Sequence, residues 1–214
     1  MNTDVSFCNY KGLPINIGKN GEHSCINQIL EKIHNGMVYM CANNSKVLFV
    51  RFDLRFPDYY NAAGKNEEIS NLLKIMRENG RELYGFYFIV WCREQSCSKH
   101  HHYHCIALLN GNKVQGYSSF LFEVQRVWEM ILGRDAKGLV DFCNRTNIDG
   151  FGRNGIMIKR PTKHAQGEEL IRQGNDFEQT FAHCFHWASY LAKENQKSTT
   201  PHGVRRYGST QLPA

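Results

Sequence analysis

The stretch KVLFVRFDLRF, residues 46–56, alternates strictly, with Leu48, Val50, Phe52 and Leu54 on one face and Arg51, Asp53 and Arg55 on the other. A period of two sends successive side chains to opposite sides of a strand, so the pattern predicts a half-buried β-strand closed by Pro57. Ahead of it, residues 22–41 carry Ile26, Ile29, Leu30, Ile33 and Met37 at helical spacing, which predicts an amphipathic helix on a core. Residues 66–79 run from an acidic first turn through an apolar stripe to Gly80, the start and stop signals of a second helix. Residues 84–94 (YGFYFIVWCRE) and 102–109 (HYHCIALL) are rich in aromatic and β-branched side chains and read as a hairpin whose turn is the polar segment 95–101.

A third helical pattern covers residues 118–132, and short strand candidates follow at 138–142 and 155–158 in a glycine-rich region. A long helix is expected over 176–194, with 197–214 as an exposed, partly basic tail. Helix, strand, helix, strand, strand, helix, short strands, helix is the order of an α+β fold, an antiparallel sheet covered by helices on a ferredoxin-like plan with additions. At 214 residues the chain suits one domain, with residues 1–44 as an amino-terminal helical extension.

Composition changes this picture little. Hydrophobic residues at 42% and charged residues at 21% exclude a disordered or fibrous chain. No apolar run approaches the roughly 18 residues of a membrane-spanning helix. The opening MNTDVSFCNY lacks the basic-then-apolar order of a signal peptide, so a cytoplasmic protein is expected. Eight scattered cysteines without an export signal are expected to be reduced thiols. A net charge of +6 favours a polyanionic partner but fits a merely soluble protein as well.

Chemistry enters with His102-Tyr103-His104. Two residues apart on a strand, the two imidazoles share a face with backbones roughly 6.5 Å apart, and can converge on one ion. Glu94, paired across the hairpin, would bring a carboxylate to the same face. Such a nitrogen and oxygen set suits Mg²⁺ or Mn²⁺ acting as a Lewis acid on a phosphate. Two other readings stand beside it: a polar, partly solvated hairpin that binds nothing, and a zinc cluster drawn from Cys92, Cys97, His100 and His102.

On the last predicted helix, His186, Tyr190 and Lys193 stand at i, i+4 and i+7 and so share a face. A phenol with an ammonium one turn on is a candidate nucleophile for a phosphodiester, because the cation favours phenolate and phosphate alike. Tyrosine and lysine are common at helix ends, and YxxK alone also fits an aromatic beside a solvated charge.

The alternating strand, the Glu-bearing strand, the HxH strand and the later YxxK, in that order, resemble the HUH endonuclease superfamily. More narrowly, VLFVRFDLRFP, WCREQ, HHYHCIALLNG, SYLAK and RRYGST resemble the YagK/YfjJ C-terminal domain family, related to inovirus-type replication proteins, over residues 46–210. The resemblance implies His102, His104 and Glu94 as metal ligands, Tyr190 as a single nucleophile forming a 5′-phosphotyrosine, and Lys193 as its helper. Asp53 is a possible support that orients a ligand or binds the metal, or else a surface ion pair beside Arg51 and Arg55. His186 is a second possible support.

The implied function is a rolling-circle-type replication initiator that nicks and rejoins single-stranded DNA or an origin hairpin in a bacterial host. No GxxxxGK[ST] phosphate loop occurs, so a helicase and a polymerase would be separate partners. Two alternatives are a single-tyrosine transposase and a non-catalytic nucleic-acid-binding regulator. The latter would use Arg51, Arg55, Lys99, Arg205 and Arg206 for phosphates.

Overall fold

The computed structural model describes residues 9–18, 20–62, 64–95, 100–144, 154–194 and 200–213. A small hairpin, β1 (Asn9–Tyr10) and β2 (Leu13–Pro14), leads into α1 (Asn27–Asn43). Then come β3 (Lys46–Leu54), α2 (Glu67–Tyr84), β4 (Phe88–Glu94), β5 (His102–Asn110) and α3 (Ser118–Leu132). β6 (Val140–Asp141), β7 (Ile156–Lys159), α4 (Gly167–Ala188), a 3₁₀ turn (Ser189–Ala192) and β8 (Tyr207–Ser209) complete the order.

The main sheet is antiparallel, ordered β6-β3-β5-β4-β8, with β7 also paired to β3. From β3 to β7 this is the β-α-β-β-α-β order of the expected ferredoxin-like plan. The α+β fold with an antiparallel sheet covered by helices is therefore present.

The alternation of β3 sorts as expected, but neither face is left to water. Leu48, Val50, Phe52 and Leu54 enter a core with residues of α2 and α3, while Val47 and Phe49 enter a second core with residues of α1 and α4. The half-buried strand of the sequence reading is thus corrected to one covered on both sides. α1 is part of this second core, with Ile29, Leu30 and Met40 fully buried, and is not an appended extension. Its close approach depends on Gly36, where a Cβ would collide with the Phe88 ring.

Two boundaries move for local reasons. α2 runs through Gly80 because that glycine makes room within the helix, a Cβ there falling 2.9 Å from the Tyr84 ring. The stop comes at Gly85, whose φ of 66° is the left-handed value glycine adopts without strain. The tail is not wholly an exposed extension: Tyr207, Gly208 and Ser209 pair with Cys92, Trp91 and Val90 of β4. Gly208 is needed there because a Cβ would fall 2.6 Å from the Trp91 ring.

On the second face the strands change character along their length. Val47, Phe49, Phe88, Val90, Ile106 and Leu108 fill the apolar end. By the same alternation Arg51, Asp53, Glu94, His102 and His104 come together at the other end.

Candidate metal centre and tyrosine

Register brings the polar end together. His104 lies opposite Asp53 on one neighbour and Cys92 on the other, and His102 lies opposite Glu94. His104 Nδ1 is 2.7 Å from Asp53 Oδ1, and its Nε2 is 3.0 Å from Glu94 Oε2 and 3.1 Å from His102 Nε2. His102 Nε2 is 3.9 Å from Glu94 Oε2. Asp53, Glu94 and His104 are buried, and His102, with 23% of its side chain exposed, forms the open side.

These contacts set the proton balance. Burial works against a charged His104, but hydrogen bonds to Asp53 and Glu94 outweigh it and raise its proton affinity. Burial likewise opposes the Asp53 carboxylate, and the hydrogen bond to His104 outweighs it and lowers the Asp53 pKa. His102 is lowered, first by burial and then by the charge of His104. Asp53 on Nδ1 leaves Nε2 as the ligand atom of His104, the usual way a carboxylate orients a metal-binding imidazole. The sequence reading left Asp53 open between orienting a ligand, binding metal and a surface ion pair; burial and the 2.7 Å contact to His104 exclude the last.

Glu94, His102 and His104 can hold a metal ion: each offers a donor atom, and the three lie within 4.8 Å of one another. Metal-to-ligand bonds of about 2.1 Å at right angles separate donors by about 3.0 Å, which matches both separations from His104. Among the described residues this is the only such group of three. Among the described residues, Cys92 and His100 of the alternative zinc cluster are engaged elsewhere. His100 turns to the Asp58 carbonyl at 3.1 Å, the Cys92 thiol donates to the Arg206 carbonyl at 3.4 Å, and Cys97 lies outside the described residues.

Tyr190 stands on the 3₁₀ turn that follows α4 and not on α4 itself, so the single helix expected over 176–194 is broken at Ala188. Its ring meets His104 edge-on, centroids 5.2 Å apart. Arg51 Cζ lies 4.4 Å, and Lys193 Nζ 4.7 Å, from the ring centroid. The phenol's pKa is raised, by burial first and then by the Glu94 charge, with Arg51 opposing. The phenolate expected from the nearby lysine is therefore not favoured, because burial and the Glu94 carboxylate outweigh Arg51.

The amino-terminal segment pins the turn. The Ser189 hydroxyl accepts from the Asn16 amide and donates to the His186 carbonyl, both at 2.7 Å. Ile26 N–H donates to the Ala192 carbonyl at 2.7 Å, and Glu194 N–H to the Ser24 carbonyl at 3.0 Å. His186 thus serves the turn through its backbone.

Of the candidate phosphate-binding residues, Arg51 joins the site, whereas Arg55 is exposed and pairs with Asp141 at 3.3 Å. Arg205 and Arg206 line a polar cavity of about 760 Å³ between α1 and β8, and Lys99 lies outside the described residues.

Sequence reasoning missed Asn154. Its side chain accepts from the Arg51 amide at 2.9 Å and donates to the carbonyls of Arg51 and Phe142 at 2.6 Å each. It fills the gap between β7 and β6 along β3 as a strand would. A lone asparagine in a glycine-rich stretch carries no periodicity that could have revealed this.

Fold and site together define an antiparallel α+β domain with a metal-capable His-His-Glu cluster and a tyrosine against it. The profile of the YagK/YfjJ C-terminal domain family matches residues 9–210, and the chain belongs to that family. No curated protein and no solved structure matches the chain.

Proposed function

We propose that the protein is a DNA-nicking enzyme of the HUH type, a rolling-circle-type initiator that cuts and rejoins single-stranded DNA through a 5′-phosphotyrosine at Tyr190. The observation that carries this reading is the contact of the Tyr190 ring with His104, a member of the metal-capable cluster. In the reaction, Tyr190 Oη bonds to phosphorus as the P–O3′ bond breaks. The phenolic proton passes to solvent and the departing 3′-oxygen takes one up, leaving a free 3′-hydroxyl. Rejoining is the reverse attack by that hydroxyl.

A Mg²⁺ or Mn²⁺ ion on His102, His104 and Glu94 would supply Lewis acidity toward a phosphate oxygen. Asp53 fixes the ring of His104. Unwinding and synthesis would fall to a separate helicase and polymerase, in the cytoplasm of a bacterial host. Among the described residues no helix is long and apolar enough to cross a membrane.

The test is incubation with mixed-sequence single-stranded DNA and Mn²⁺, then denaturing electrophoresis. Wild type should give a covalent protein–DNA band and Tyr190→Phe none, with DNA binding retained. DNA binding without adduct would leave a regulator, and adduct on another tyrosine by mass spectrometry would remove Tyr190 from its role.

A further inference from the structure

Arg51 occupies an unusual position for a basic side chain. It shares the second face of β3 with Asp53, and its guanidinium lies over the Tyr190 ring at 4.4 Å and near Trp187 at 5.9 Å. Its Nε is shielded from solvent and has no hydrogen-bond partner. The ion pairs among the described residues leave it out: Arg55 takes Asp141, and Asp53 is engaged by His104. An N–H shielded from water without an acceptor is costly unless something supplies one. The planar fork of arginine matches the oxygens of a phosphate. Its backbone is held on both sides, by β5 across the ladder and by the Asn154 side chain, so the guanidinium is carried on a fixed base.

We infer that Arg51 is a catalytic residue that grips the non-bridging oxygens of the scissile phosphate beside Tyr190. The inference rests on the proposed nicking reaction. As the bond from Tyr190 Oη to phosphorus forms and the P–O3′ bond breaks, negative charge grows on the non-bridging oxygens. The guanidinium N–H groups meet that charge, and the arginine neither gains nor loses a proton. This differs from a contact to DNA away from the reacting bond, which changes affinity and its salt dependence but not the rate on saturating DNA.

The linkage joined to Tyr190 is first mapped from wild-type adduct formed with mixed-sequence single-stranded DNA. Two oligonucleotides are then made, one with the natural phosphodiester at that linkage and one with a methylphosphonate, which lacks the negative charge. With saturating phosphodiester, Arg51→Gln should form adduct about 10²- to 10³-fold more slowly than wild type, the usual loss on removing one donor to a developing oxyanion. With the methylphosphonate, the variant should come within tenfold of wild type. Comparing the two substrates on the same preparation cancels any difference in folded fraction. A variant slowed equally on both, unaffected on the phosphodiester, or giving no adduct with the methylphosphonate overturns the role. Absence of adduct from wild type on the phosphodiester would instead remove the nicking reaction itself.

Discussion

Asp53→Asn tests whether the buried carboxylate sets the chemistry of the cluster. Asp53 Oδ1 is 2.7 Å from His104 Nδ1, a short contact between buried groups, while His104 Nε2 faces Glu94 and His102. Asparagine keeps the shape but removes the charge. If its oxygen faces Nδ1–H, the ring keeps its orientation through a weaker neutral bond. If its amide faces the ring, Nδ1 must accept, and the ring proton moves to Nε2, the atom needed as a ligand. Losses of this outer kind cost about 10- to 100-fold in metal affinity, or about 1.4–2.8 kcal/mol. Titrating the DNA-free protein with Mn²⁺ by calorimetry at pH 6 and pH 8 measures this directly. Wild-type affinity should rise with pH, because Asp53 and Glu94 hold a proton on His104 that an ion must displace. The variant should bind more weakly at pH 8 and show a flatter pH dependence. An affinity within threefold of wild type at both pH values, in a folded variant, would show that Asp53 does not orient the ligand.

Much of the fold was legible because one alternating strand and three amphipathic stretches carry strong periodicities. What the alternation of β3 could not say is which elements cover its second face. Arg51 and Asp53 read as solvent-facing because Arg55, on the same parity, is indeed exposed. Asp53 becomes buried, and Arg51 partly so, once Trp187 of α4 and Tyr190 of the turn after it lie against that end of the sheet, which no local pattern announces. β8 escaped for a different reason: three residues including Gly208 are too few to show a period, and the pairing is dictated by the free edge of β4.

The site was legible to the extent that it follows from register. HxH fixes two rings on one face by the pleat alone, and Glu94 joins them because the hairpin puts it opposite His102. Tyr190 lies against His104 and beneath Lys193, but the continuous helix that its spacing assumed is absent: the chain tightens into a 3₁₀ turn at Ser189. The reason lies far away in sequence, in hydrogen bonds from Asn16 and Ile26 to the turn.

Three further tests address the supports beneath the site. Tyr103, in the middle of HxH, does more than fill space: its hydroxyl donates to Asn66 Oδ1 and meets His101 Nε2, each at 3.0 Å. Tyr103→Phe should therefore lose about 1–3 kcal/mol in urea unfolding, and a loss under about 0.5 kcal/mol would make the network ornamental. Asn154→Ala strands the amide and carbonyl of Arg51 at the sheet edge, and should lower the urea midpoint by an amount equivalent to about 3 kcal/mol with an unchanged slope. No shift would mean that water replaces the side chain. His101 gives a pH signature, because burial, with the nearby Arg93 charge, pushes its pKa down to about 3. The unfolded chain takes up a proton near pH 6.5 and the folded one does not, so the contribution of this residue is present above pH 6.5 and is lost as pH falls toward 3. Between pH 6.5 and 5, wild type should lose about 1.6 kcal/mol more than His101→Gln, since the other titrating groups are common to both chains. A gap between the two proteins that stays constant over that interval would mean that His101 accepts its proton while still folded.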